Sequence, residues 1–198
     1  VYSNFASKVY DKKIDKRNKT ERFVGKTCIL GLGYGTGWKK LQHTLETSPP
    51  GAKLTDEECQ KLVKVYRESN HKVIELWREC DQALEALADW PKGRKPYYIG
   101  ENKVLRVSKE GIQLPNELYI YYPELEWQEE EEKKGFVYKS RRGKVGIWGG
   151  SVVENVVQAL ARIVIGEQIV RVNKKHRVVL TVHDAIVCVA PKEQAIEA

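Results

Sequence analysis

Glu21-Arg22-Phe23-Val24-Gly25-Lys26-Thr27-Cys28-Ile29-Leu30-Gly31-Leu32-Gly33-Tyr34-Gly35-Thr36-Gly37 combines cations with a dense run of glycines. Two phosphate-binding motifs fit parts of it, and both fail. A P-loop needs Gly five residues before Gly25-Lys26-Thr27, where this chain has Thr20. A dinucleotide fingerprint on Gly31 and Gly33 needs Gly or Ala where Thr36 stands, and no clear strand precedes it. What remains is a helix, expected over about 21–42. Arg22, Lys26, Leu30 and Tyr34 recur every four residues. Each such step drifts only about 40° round a helix axis, so the four share one face over roughly 18 Å. That face offers a guanidinium, an ammonium, an apolar surface and a ring, in that order. The cations suit phosphates, and Leu and Tyr suit a sugar and base. A helical Gly costs about 1 kcal/mol relative to Ala, so these glycines predict close approach of a ligand or backbone, or a hinge. The same spacing also fits an amphipathic helix with snorkelling cations.

Outward from this stretch, residues 1–20 are polar and mixed, and Ser48-Pro49-Pro50-Gly51 is a break. Thr55 followed by Glu58 forms a capping-box pattern. It opens one long helix or two over about 55–90, ended by Pro91-Lys92-Gly93. Residues 97–107, 117–122, 136–139 and 144–148 are short, β-branched or aromatic runs between turn residues, which predicts strands. The acidic run 124–134 between them reads as a solvated loop. Ser151-Val152-Val153-Glu154 is a second capping-box pattern, opening a helix to about residue 172. Residues 178–182 and 186–190 predict a hairpin with His183-Asp184 at its tip. The order is helices, strands, helix, hairpin, with no repeat and no βαβ alternation, so the fold class is α+β.

Composition bounds the function. The chain has 198 residues, 41% of them hydrophobic, enough for a core. Lys plus Arg is 34 against 27 Asp plus Glu, a net +7. Such an excess suits polyanionic partners through counterion release, although a merely basic soluble protein carries it too. Cys28, Cys59, Cys80 and Cys188 form no C-x-x-C pair and have no His at zinc-finger spacing. So few cysteines argue against structural zinc or a disulfide framework, and for a reducing cytosol. No run approaches the roughly 20 apolar residues of a membrane span, and there is no signal peptide. The chain contains no Met, which predicts an N-terminus taken from within something longer.

Arg22, Lys26, Tyr34 and Gly35 together resemble the fingers-helix motif of family A, DNA polymerase I-like, DNA polymerases: Arg-x-x-x-Lys, seven residues, Tyr-Gly. Val182-His183-Asp184 is similar to that family's palm hairpin with its metal-binding aspartate. Gly149-Gly150 leading into Glu154-Asn155-Val156-Val157-Gln158 resembles the palm helix whose Gln touches the primer-template minor groove. The three occur in family order, and residues 1–7 resemble the stretch between the first palm motif and the fingers. The resemblance spans essentially the whole chain and is of bacteriophage or bacterial type. It implies fingers over 1–95 and a partial palm over 96–198.

The implied activity is template-directed DNA synthesis. Arg22 and Lys26 would grip the incoming dNTP, with Lys26 as general acid toward the departing pyrophosphate. Leu30 would pack on the sugar, and Tyr34 would lie by the nascent base pair beside Gly35 in the DNA-binding part. Asn155, Gln158 and His183 would contact primer-template DNA. Asp184 would ligate two Mg²⁺ ions that drive nucleotidyl transfer to a primer 3′-hydroxyl. Further expected partners are an upstream polymerase segment or a processivity factor, in the cytoplasm of a bacterial host. The departures are Leu30 where many relatives have an aromatic residue, Ala185 where many have Glu, and Glu154 where several have Asn. The first palm aspartate is absent, since Tyr2-Ser3 has no Asp before it. Two ions need more than one carboxylate, so the chain alone is expected not to polymerise, and its end at Ala198 is expected to truncate the palm. The alternatives are a non-catalytic DNA-binding part, one half of a split polymerase, or a small ATP-binding enzyme, the last disfavoured by the failed P-loop.

Overall fold

The computed structural model describes residues 1–129 and 134–194. Five helices come first: α1 Tyr2–Tyr10, α2 Lys19–Leu32, α3 Trp38–Thr47, α4 Asp56–Ser69 and α5 His71–Ala88. Two antiparallel sheets follow. One contains β1 Tyr97–Ile99, β2 Leu105–Ser108, β3 Gly111–Gln113 and β4 Tyr119–Ile120 in sequence order. The other contains β5 Glu126–Glu129, β6 Lys134–Ser140 and β7 Gly143–Ile147. Then come α6 Gly149–Asn173 and the hairpin of β8 Arg177–Val182 and β9 Ala185–Val189. The architecture is α+β, in the expected order of elements.

Two apolar clusters organise these elements. Phe5, Val24, Cys28, Leu32, Leu41, Leu45, Leu62 and Tyr66 pack α1 to α4 together. Cys80 and Leu84 of α5, Val107 and Ile112 of the first sheet, Phe136 and Ile147 of the second, and Val152 and Val156 of α6 form the other. α5 thus lies with the sheets and α6 rather than with the four helices before it.

The helix expected over 21–42 is two helices. α2 stops at Leu32, and the chain turns before α3 begins at Trp38. In that turn the Tyr34 and Thr36 amides donate to the Gly31 carbonyl, and the Gly35 amide donates to that of Leu32. Gly35 has φ +72°, a left-handed value that suits Gly. Within α2, Gly25 permits close helix packing: a β-carbon there would meet the Tyr2 carbonyl oxygen and Ala6 of α1.

The capping box at Thr55 forms in full. The Glu58 amide donates to Thr55 Oγ1 at 3.2 Å, and the Thr55 amide donates to Glu58 Oε2 at 2.8 Å. The one at Ser151 does not, because α6 starts two residues earlier, at Gly149, with Trp148 at its N-cap. The Gly149 amide instead donates to Asp81 Oδ1 of α5, a carboxylate well placed against the helix dipole. Glu154 is left to accept from Gln158 Nε2 at 3.1 Å.

Other departures are local. The run 97–107 is a hairpin, β1 and β2, rather than one strand. β3 was not anticipated. Part of the acidic run is a strand, β5, paired with β6; its residues 130–133 lie outside those described. The ion pairs Lys134–Glu129, Lys139–Glu124 and Lys144–Glu126 hold its carboxylates and those of the preceding turn.

Candidate functional site

α2 and α3 flank a groove of about 440 Å³. Lys26, Thr27, Leu30 and Gly31 line it from α2, Thr36 from the turn, and Lys40 and Thr44 from α3. This volume lies within the range of small-ligand sites, about 300–1,000 Å³. Lys26 and Lys40 are exposed and have no carboxylate partner among the described residues. Glu21, the acidic residue in the first turn of α2, is instead engaged by Lys12 at 2.8 Å. That hydrogen bond holds the Glu21 carboxyl below the usual carboxylate range. The groove therefore pairs two cations and several hydroxyls with the half-exposed apolar face of Leu30, which is 47% exposed. Such a lining can bind an anion at one part and an apolar ring or sugar at another.

The four residues expected on one face are only partly together. Lys26 and Leu30 share the groove. Arg22 sits one turn earlier on α2, its guanidinium 5.9 Å from the Tyr2 ring centre, a cation–π distance. Tyr34 lies beyond the helix end, in the turn, and is 53% exposed. Lys40 and Thr36 were not anticipated. The signal available for Lys40 was the Trp38-Lys39-Lys40 run directly after the glycines.

Behind Tyr34 is an aromatic junction. A β-carbon on Gly35 would fall inside the Trp148 ring, and so would one on Gly150. Trp148 packs edge-on to Trp77 of α5, with centroids 5.3 Å apart. The turn after α2 is thereby seated against the start of α6. A β-carbon on Gly149 would collide with the Trp77 backbone, so this glycine pair is fixed by close packing.

On α6, Gln158 is exposed and Asn155 half-buried. The Asn155 amide donates to Tyr122 Oη at 3.2 Å, which turns it toward the sheets. Burial pushes the Tyr122 hydroxyl up to about 12, although the Asn155 hydrogen bond opposes this. His183 and Asp184 form the exposed tip of the β8–β9 hairpin, between the paired Val182 and Ala185. His183 has φ +53°, uncommon for a residue with a side chain. The hairpin packs on α6, whereas α2 packs on α1, α3 and α4. Lys26 and Asp184 thus belong to separate neighbourhoods. Val179, Leu180, Val182, Val187 and Val189 of the hairpin are all 41–59% exposed.

Among the described residues, no group of three or more His, Cys, Asp or Glu side chains could hold a metal ion. The hairpin tip supplies one carboxylate, which falls short of the several hard oxygen ligands that two Mg²⁺ ions require. The described residues therefore do not fit a two-ion centre by themselves. No described helix is long and apolar enough to cross a membrane.

No family model matches the chain. It is similar to a DNA polymerase of Bacillus phage SP02, with 28% identity over 206 aligned residues. The alignment takes in 97% of this chain and 31% of that polymerase, so the chain spans about a third of the length of the curated relative it matches.

Proposed function

We propose that this chain is the nucleotide-gripping part and a portion of the palm of a family A DNA polymerase. The reaction is template-directed addition of a nucleotide to a primer 3′-hydroxyl, in phage or bacterial DNA replication. The observation that carries this reading is the α2–α3 groove, where the motif residue Lys26 and its helix neighbour Leu30 meet beside an unpaired Lys40. The near end-to-end similarity to a phage polymerase supports it. Lys26, with Arg22 before it on α2, binds the triphosphate and gives a proton to the leaving pyrophosphate. Leu30 covers the sugar. Tyr34 contacts the base pair, its turn held by the Gly35–Trp148 seat. Gln158, Asn155, His183 and Gly35 lie along the DNA. Asp184 would be one ligand of divalent ions, with the other carboxylates supplied by protein outside these residues. That segment would pack on the uncovered apolar face of the hairpin. The left-handed His183 fits this role, since backbone outliers persist where a tip side chain is needed. Fingers over 1–95 and palm over 96–198 describe the division of labour.

A second reading is a non-catalytic DNA-binding part or one half of a split polymerase. The single carboxylate at the hairpin tip favours it over an autonomous enzyme.

Equilibrium titration of the chain with a dNTP tests the groove. Lys26→Ala and Arg22→Ala should each weaken binding about 10- to 100-fold, the value of a charge-assisted hydrogen bond. Wild-type affinity in both variants would overturn the reading. Steady ATP hydrolysis without DNA would point instead to a small ATP-using enzyme.

A further inference from the structure

The β1–β4 sheet has two unlike faces. Tyr97, Val107, Ile112 and Ile120 pair in register across it and face the core. The alternate row is Tyr98, Arg106, Gln113 and Tyr119, one residue from each strand, directly paired across the sheet. Tyr98 is 54% exposed. Tyr119 stacks on Tyr121, with centroids 5.8 Å apart, and Tyr121 is 60% exposed. Arg106 Nη1 donates to Gln113 Oε1 at 3.2 Å, which fixes both in the row. Two rings thus flank a hydrogen-bonded Arg–Gln pair on the outward face of the sheet.

Residues 90–96 border this face and enclose with it a hollow of about 740 Å³. Lys92, Arg94, Arg106 and Lys109 line the hollow against one carboxylate, Glu110. Glu110 is already engaged, accepting from Ser108 Oγ at 2.7 Å and lying 3.8 Å from Lys109. Among the described residues Lys92, Arg94 and Arg106 have no ion pair. Arg94 lies against the rings of Trp90 and Tyr97, at 5.6 and 4.6 Å from their centres. The neighbouring β5–β7 sheet differs, because Lys134, Lys139 and Lys144 all have carboxylate partners. Three of the four cations lining this hollow, Lys92, Arg94 and Arg106, have no carboxylate partner among the described residues, and the fourth, Lys109, shares Glu110.

We propose that this face binds single-stranded DNA. Bases stack on Tyr98 and on the Tyr119–Tyr121 pair, Gln113 reaches base edges, and phosphates pair with Lys92, Arg94, Arg106 and Lys109. The combination suits unpaired strands, because stacking needs exposed base faces and the cations follow the backbone. That the strand is an unpaired template rests on the polymerase reading; the binding face itself does not.

The test is fluorescence anisotropy of a labelled oligo-dT with the 198-residue chain, over a range of salt. Lys26, Arg94, Tyr98 and Tyr121 are exposed and Arg106 is half-buried, so far-UV circular dichroism checks that the variants fold. Tyr98→Ala/Tyr121→Ala should weaken binding about 10-fold or more with little change in salt slope. Arg94→Ala/Arg106→Ala should reduce the slope of log K against log salt by about 1.4, the loss of two phosphate contacts on a single strand. Wild-type binding by both variants overturns the proposal, as does equal or tighter binding of a blunt duplex. Tighter binding of oligo-rU than of oligo-dT overturns the assignment to DNA. Lys26→Ala separates the two readings, since it should keep oligo-dT binding and lose dNTP binding. If it keeps both while the sheet variants lose oligo-dT, the nucleotide groove fails and the sheet face stands.

Discussion

Trp148 fills the space that a side chain on Gly35 would need, although 112 residues separate the two in sequence. The turn that carries Tyr34 is therefore positioned by the start of α6 and not by α2 alone. Gly35→Ala meets two penalties, a left-handed φ of +72° and overlap with the indole. Together they should destabilise the protein by about 2–5 kcal/mol. In the Trp148→Ala background the overlap is gone, so denaturant titrations of the single and double variants should show coupling of about 1 kcal/mol or more. Additive effects would show that the contact does not hold the turn.

The two capping-box patterns should behave differently. Thr55→Ala removes a formed cap and should cost about 1 kcal/mol. Ser151→Ala removes no cap bond and should stay within about 0.5 kcal/mol of wild type. Asp81→Ala leaves the Gly149 amide without its acceptor and should cost about 1–3 kcal/mol. Chemical denaturation midpoints of the three variants check this order.

Burial pushes the thiols of Cys28 and Cys80 up to about 12. Each pKa is higher folded than unfolded, so the folded state holds its proton over that window while the unfolded state loses it. Stability from these groups is complete below their ordinary value of 9.0 and is lost as pH rises from there toward about 12. Tyr122 acts in the same direction, from 10.0 to about 12. Melting temperature should be insensitive to these groups near pH 7 and fall progressively above pH 9. At pH 8 a thiol reagent should label half-buried Cys188 first, and buried Cys28, Cys59 and Cys80 only on unfolding.

Local signals carried the architecture. The Thr55 cap, the α+β order of elements and the hairpin presenting His183-Asp184 all depend on residues close in sequence, and the structure has them. The misread features depend on distant partners. Helical spacing extended through Tyr34, but Gly35 packs on Trp148 and the helix ends first. Ser151 had the pattern of a cap, but Asp81, 68 positions before Gly149, accepts from that residue's amide and lets α6 start earlier. The acidic run resembled a solvated loop because the lysines that pair with Glu124, Glu126 and Glu129 come from β6 and β7. In the candidate site the four-residue spacing gave Lys26 and Leu30. Lys40 needed the turn that folds α3 back along α2.

The proposed role of Lys26 is to act on the triphosphate of an incoming nucleotide. Its most direct test is single-turnover primer extension by a polypeptide that contains this sequence and supplies the further carboxylates. Lys26→Ala should slow nucleotide incorporation about 10²- to 10⁴-fold, the range of a lost general acid, with primer-template affinity unchanged. Incorporation at the wild-type rate would rule out this role for Lys26.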